Sequence, residues 1–318
     1  MDKKAYDALV KSIQYHNDRY YNQDDPEITD YEYDQLMREL KAMEREHPEW
    51  VTLESPTQRV GGSPVLNGDK VRHHVHLYSL NDLFSVEEVR DWYIGQMHTP
   101  RVSVQEKIDG LTLALEYRNG KLFLGATRGD GDIGEVVTDN ALTVRGVPSL
   151  LNIPENAGAA PENRLYVRAE AYMPVADYER VNEEQRQMGK KLFANPRNCA
   201  AGSLRVKDPA ITKARNLGAI SFAILASEGW EDVDTSICPR PGVSETDDLA
   251  LLSILGFDVV TAYTCQGMDE IEAAIKKIDE TFPVLIVTGP RQVGKTTLLC
   301  HMAKADRKVV SLDNPTIR

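Results

Sequence analysis

Two stretches of this sequence place reactive residue types at spacings that could do chemistry. In QEKIDGLTLALEY, Lys107 stands just before Asp109 and Gly110, where an apolar–polar alternation breaks. A lysine amine is ordinarily protonated, with a pKa of about 10.4. Desolvation or neighbouring cations free it as a nucleophile. Asp109 can orient such an amine or a metal, and Gly110 permits a tight turn. Taken alone, Lys-x-Asp-Gly is more simply a surface hairpin. The second stretch, Gly289-x-x-x-x-Gly294-Lys295-Thr296, follows an apolar run expected to be a strand at 284–288. Its spacing is that of a phosphate-binding loop. Backbone amides cradle phosphates, Lys295 reaches the β/γ oxygens and Thr296 holds magnesium.

Helices and strands must position these groups. Leu9, Ile13, Tyr20 and Tyr21, then Tyr33, Leu36, Leu40 and Met43, fall on helical periods, separated by the turn chemistry of NQDDPEITD. Thr29 or Asp30 can cap the second helix, and His47-Pro48 ends it. The segment 54–70 is rich in Pro, Gly and Ser and reads as a linker. From about 71 the period shortens. Residues 101–110, 111–120 and 121–131 alternate apolar and polar with Gly-containing turns, which predicts an antiparallel meander. NRLYVRAEAYM is another strand. Helices are expected near 86–97, 175–188, 244–255 and 268–279. The fold class is α+β, a helical hairpin ahead of an antiparallel sheet.

Composition narrows the function classes. A net charge of -12 over 318 residues argues against a general electrostatic grip on nucleic acid. No apolar run reaches the length of a membrane span, and the polar start MDKKAYDALV lacks a signal-peptide core. The four cysteines form no Cys-x-x-Cys pair, so a reduced, cytoplasmic protein with no structural metal is expected.

Order and context sharpen the lysine reading. EKIDGLTLALEYRNG, ATRGDGDIGEVVTDN, VRAEAYMP and FANPRNCAAGSLR resemble, in sequence and in order, the adenylation domain of NAD-dependent bacterial DNA ligases. RYYNQDDPEITDYEYDQLMRELKAMEREHPE resembles the helical domain that precedes it there, and ESPTQRVGG the joining segment. The resemblance covers about 1–280 and implies a helical nicotinamide mononucleotide-binding domain at 1–53, a linker at 54–70 and a nucleotidyltransferase domain at 71–280.

The resemblance also implies roles. Lys107 is the nucleophile toward the adenylyl phosphorus of NAD, beside Asp109, with magnesium screening phosphate charge. Ser79, Leu80, Gln105, Glu106 and Arg128 fall where the family contacts the nucleotide. Glu170 matches a ribose-holding carboxylate, and Arg197 and Arg205 match arginines near the adenylate or DNA phosphate. Tyr20, Tyr21, Asp30, Tyr31, Glu32, Tyr33 and Asp34 match the nicotinamide mononucleotide clamp, although Tyr20 and Tyr33 also read as core residues between two helices. The implied partner is nicked duplex DNA, bound weakly by a monomer.

Two departures accompany this likeness. Gln105 stands where the family usually has glutamate. After about 280, lysine-bearing strands are expected, but the chain continues as FPVLIVTGPRQVGKTTLLCHMAKADRKVVSLDNPTIR, similar to the opening of P-loop ATPases. The expectation is a truncated adenylation domain with a short strand–P-loop–helix tail at 281–318. Two alternatives stay open: an NAD-binding remnant without turnover, and ATP binding through Gly289, Gly294, Lys295 and Thr296.

Overall fold

The computed structural model describes residues 3–21, 27–28, 30–52, 55–57, 69–78, 86–95 and 101–281, with backbone alone at 20, 21, 30, 31, 34, 88 and 279–281. In chain order its elements are α1 (Lys3–Tyr21), α2 (Asp30–Glu46), β1 (Lys70–Arg72), α3 (Val86–Gly95), β2 (Val102–Gln105), β3 (Leu111–Arg118), β4 (Lys121–Thr127), β5 (Ile133–Glu135) and α4 (Thr138–Ala141). There follow β6 (Arg164–Tyr172), α5 (Val175–Gln187), α6 (Pro196–Leu204), α7 (Pro209–Arg215), β7 (Gly218–Glu228), α8 (Glu245–Ile254), β8 (Ala262–Cys265) and α9 (Met268–Thr281). They fall into two compact units, one within 1–65, 79–107 and 264–318, the other within 66–78 and 108–263. The tail expected to form a strand and phosphate loop lies outside the described residues.

In the first unit the helical period does what it predicts. Tyr6, Leu9 and Ile13 of α1 meet Tyr33, Met37, Leu40 and Met43 of α2 in one apolar cluster. The helix stops before Pro48, which starts a short 3-10 turn. Glu44 is buried in this cluster and accepts hydrogen bonds from Tyr6 Oη at 3.0 Å, Ser55 Oγ at 2.5 Å and Thr57 Oγ1 at 2.5 Å. The start of the Pro/Gly-rich segment is thereby fastened to α2. Glu44→Ala leaves three hydroxyls short of an acceptor and is expected to cost about 3 kcal/mol. A urea titration followed by circular dichroism that shows an unchanged midpoint would contradict this.

Elsewhere in that unit β2 pairs with β8, whose Thr264 and Cys265 belong to it. Arg90 of α3 pairs with Glu272 of α9 at 2.5 Å, and Gly267 N donates to Tyr93 Oη at 2.8 Å.

The second unit is built on a sheet ordered β4-β3-β6-β7, with every pair antiparallel. Asn119 and Gly120, at φ 53° and 73°, close the β3–β4 hairpin with the left-handed pair that a two-residue turn requires. Alternation splits the sheet into two faces. Leu113, Leu115 and Tyr117 of β3 and Leu165, Val167, Ala169 and Ala171 of β6 enter the core, with Cys199, Ala200 and Leu204 of α6 and Leu251 and Leu252 of α8. The other face carries Thr112, Ala114 and Glu116 on β3 and Tyr166, Arg168 and Glu170 on β6.

The meander predicted over 101–131 is half right. β3 and β4 form its hairpin, but β2 belongs to a separate sheet. Asp109-Gly110 is not a hairpin turn, because Gly110 is not among the positive-φ glycines. A Cβ there would lie 2.1 Å from the Ala171 carbonyl oxygen, so glycine is needed for close approach to β6.

Candidate active site

Glu170 lies near the C-terminal end of β6, opposite Thr112 on β3 and Ile220 on β7. The strand period turns it away from the core, and Thr112 Oγ1 donates to Glu170 Oε2 at 3.0 Å. The backbone of Gly110 presses against it, since a Cβ on Gly110 would stand 3.2 Å from Glu170 Cγ. Asp109 precedes that glycine just before β3, three residues before Thr112, and it is exposed. Lys107, also exposed, is only two residues upstream and can extend at most about 7 Å from Asp109 along the chain.

Two residues before Glu170, on the same face, stands Arg168, which the sequence analysis did not single out. It lies opposite Ala114 and Ala223, small residues that leave room, and its Cζ is 5.3 Å from the centre of the Phe222 ring. Among the described residues its Nε has no hydrogen-bond partner. Burial pushes this guanidinium below its ordinary pKa, and the Glu170 charge pulls it back. The period-2 spacing from Glu170 was the signal that could have found it.

Arg128 stands one residue beyond the Leu113–Thr127 pair, hence at the row of Thr112 and Glu170, two strand spacings or about 10 Å from the latter. A strap, residues 69–77, holds it. β1 pairs with β5, Leu77 N donates to Gly131 O at 2.9 Å, and Arg128 Nε donates to Leu77 O at 3.2 Å. Gly129, at φ 59°, makes the turn that follows, and a Cβ there would meet Ile133 O at 1.8 Å.

His73 Nε2 donates to the Arg128 carbonyl at 3.0 Å. Burial holds His73 below the ordinary imidazole range, against the opposing pull of the Arg128 and Thr127 carbonyls, Asp130 and Asp132. The native strap thus keeps His73 neutral. The unfolded chain takes up this proton first, so the contribution of His73 is complete above about pH 6.5 and is lost as pH falls through its depressed native value. His73→Gln is expected to flatten the loss of stability on acidification, read as urea midpoints at pH values on either side of that range. Equal losses in both proteins would count against it.

Arg197 and Arg205 lie at opposite ends of α6, about 12 Å apart along its axis. Asn195 caps that helix, its side chain accepting from Asn198 N at 2.8 Å. α6 packs on β3 and β6, and Arg205 Nε reaches Ala201 O at 3.4 Å.

In the first unit Gln105 Nε2 donates to Ser103 Oγ at 3.3 Å, with Glu106 beside it half-buried. Tyr33 sits in the hairpin core with its hydroxyl on Asn17 Oδ1 at 2.5 Å, whereas Glu32 is exposed. Tyr20, Tyr21, Asp30, Tyr31 and Asp34 lie on α1 and α2, but their side chains, like Ser79 and Leu80, fall outside the described part of the structure. Among the described residues no group of three His, Cys, Asp or Glu could hold a metal ion.

A row of Glu170, Thr112 and Arg128, with Arg168 one row along on the same face and a Lys-x-Asp-Gly segment leading into the sheet, suits a sugar bearing a phosphate. The family model described as the NAD-dependent DNA ligase adenylation domain matches residues 67–285, more than half of the chain. The chain belongs to the NAD-dependent DNA ligase family. A second family model, the DNA ligase-like N-terminal NAD+-binding domain, matches residues 2–61. The DNA ligase of Clostridium kluyveri is 44% identical over 283 residues, covering 88% of this chain and 40% of its own length. That of Clostridioides difficile is 41% identical over 276 residues, covering 85% and 38%. That of Roseiflexus castenholzii is 47% identical over 235 residues, covering 70% and 33%. The chain therefore spans between 33% and 40% of the length of these ligases.

Proposed function

We propose that this chain binds NAD and transfers its adenylyl group to Lys107, the first step toward sealing nicks in duplex DNA. The observation that carries the reading is the meeting of the Gly110 backbone with Glu170, hydrogen-bonded to Thr112, on the open face of the sheet. There the segment leaving Lys107 enters the sheet beside a carboxylate suited to ribose hydroxyls. The unprotonated Lys107 amine forms a bond to the adenylyl phosphorus as the bond to the nicotinamide mononucleotide oxygen breaks, and the amine gives up a proton. Asp109 orients the amine. Arg128 and Arg168 face the phosphate and sugar, and Arg197 and Arg205 take part in the later approach of a DNA 5′-phosphate. By likeness to the family, Gln105, Glu106, Ser79 and Leu80 are the residues assigned to nucleotide contact. Tyr20, Tyr21, Asp30, Tyr31, Glu32, Tyr33 and Asp34 form the hairpin that selects NAD over ATP.

Magnesium fits this scheme as an ion held mainly by substrate phosphate oxygens and water, which it ordinarily prefers to an all-protein cage. When bound, the ion neutralises phosphate charge.

Binding to nicked DNA by this chain is weak and salt-sensitive, as its charge of -12 supports. The reading places the chain in the cytoplasm as a monomer; Cys199, Cys238 and Cys265 are free thiols, and no described helix is long and apolar enough to cross a membrane. The test is the cosubstrate: NAD should leave one AMP on the protein and ATP none. Equal labelling by ATP would reject the role given to the hairpin.

A further inference from the structure

The open face of the sheet and the strap across it line a cavity that the proposed adenylylation leaves unused. Its lining includes Tyr166, four residues or about 13 Å along β6 from Glu170. Its volume is about 280 Å³. Small-molecule sites usually begin near 300 Å³, so it has room for a single-ring compound and none for a dinucleotide.

Its lining has two chemical halves. The floor is apolar, from Ala114, Leu124, Ala126 and Leu225. One wall is the His74 ring stacked on Tyr166, with centroids 4.2 Å apart and planes 8° from parallel. Another is Arg118, whose Cζ lies 3.4 Å from the centre of the Phe123 ring. Three guanidinium groups, those of Arg72, Arg118 and Arg164, line the cavity against one carboxylate, Glu116. Glu116 binds Arg118 Nε at 2.6 Å, and Glu228 approaches Arg164 at 3.5 Å. With five N–H donors on each guanidinium, donors remain for a further anion.

We propose that this cavity binds a small planar aromatic acid, its ring on the apolar floor against the His74–Tyr166 wall and its anionic group on the arginines. Flat walls select a ring, and guanidinium forks select a carboxylate or phosphate. The site is distinct from that of Lys107 and does not depend on the adenylylation reading.

Calorimetric titration of the whole chain with salicylate tests it, with phenyl phosphate, inorganic phosphate and benzamide alongside. Salicylate or phenyl phosphate should bind saturably and at least about tenfold more tightly than the ring-free or the uncharged probe, as expected for loss of a charge-assisted contact. Whichever of the two binds more tightly identifies the anionic group. Arg164→Gln and Arg118→Gln, both at partly exposed positions, should each weaken that binding by about tenfold and leave NAD-dependent labelling unchanged. Absence of saturable binding by either acid, binding unchanged in both variants, or displacement of the acid by NAD would overturn the proposal.

Discussion

Glu170→Ala is expected to slow NAD-dependent labelling of Lys107 by about a hundredfold, the scale on which loss of one preorganised polar contact acts in an active site. The substitution removes the acceptor of the Thr112 hydroxyl and the carboxylate proposed to hold the ribose. It also removes the charge that offsets the burial of Arg168. The fold should survive, because Glu170 points away from the core formed by Ala169 and Ala171 on the opposite face. Single-turnover labelling at saturating NAD, with a circular dichroism spectrum as the folding control, measures it. A folded variant that labels at the parental rate would move the sugar site off this row. Glu170→Gln, which keeps the shape and the acceptor, should recover part of the loss.

The second large effect is on stability. Gly110→Ala would put a methyl group 2.1 Å from the Ala171 carbonyl oxygen and 2.9 Å from its carbon, both backbone atoms of a paired strand. Neither can retreat without separating the Leu111–Ala171 end of the β3–β6 ladder. Overpacking of this kind usually costs 1–3 kcal/mol, and about 3 kcal/mol is expected here. Gly95→Ala, where nothing lies within 4 Å, is the control and should be neutral or slightly stabilising. Urea midpoints that coincide for the two variants would show that Gly110 is there for a turn and not for close approach.

That glycine also shows where sequence reasoning stops. Asp109-Gly110 and Asn119-Gly120 are both acceptable turn pairs, and only the second is a turn. The difference lies in what β6, some 60 residues away, brings against the first, and local propensity carries no trace of it. The same limit left β2 in the wrong sheet, since its partner β8 lies far along the chain and strand patterns do not encode partners. Elements whose periodicity is local were legible: the α1–α2 seam, the β3–β4 hairpin, the face alternation of β6, and the helices that became α3, α5, α8 and α9. β7 was overlooked although Ile220, Phe222 and Ile224 alternate in it. Glu170 was singled out through motif likeness, whereas no motif named Arg168, two residues away on the same face. Its significance appears only in three dimensions, with alanines on both flanking strands and Phe222 beneath.

The account rests on Lys107 being a nucleophile toward NAD. Intact-protein mass spectrometry after incubation with NAD and magnesium addresses that most directly, with Lys107→Ala in parallel. The expected result is the gain of one AMP by the parental chain and no gain by the variant. A folded parental chain that stays at its original mass, or an adduct that persists in Lys107→Ala, would contradict it.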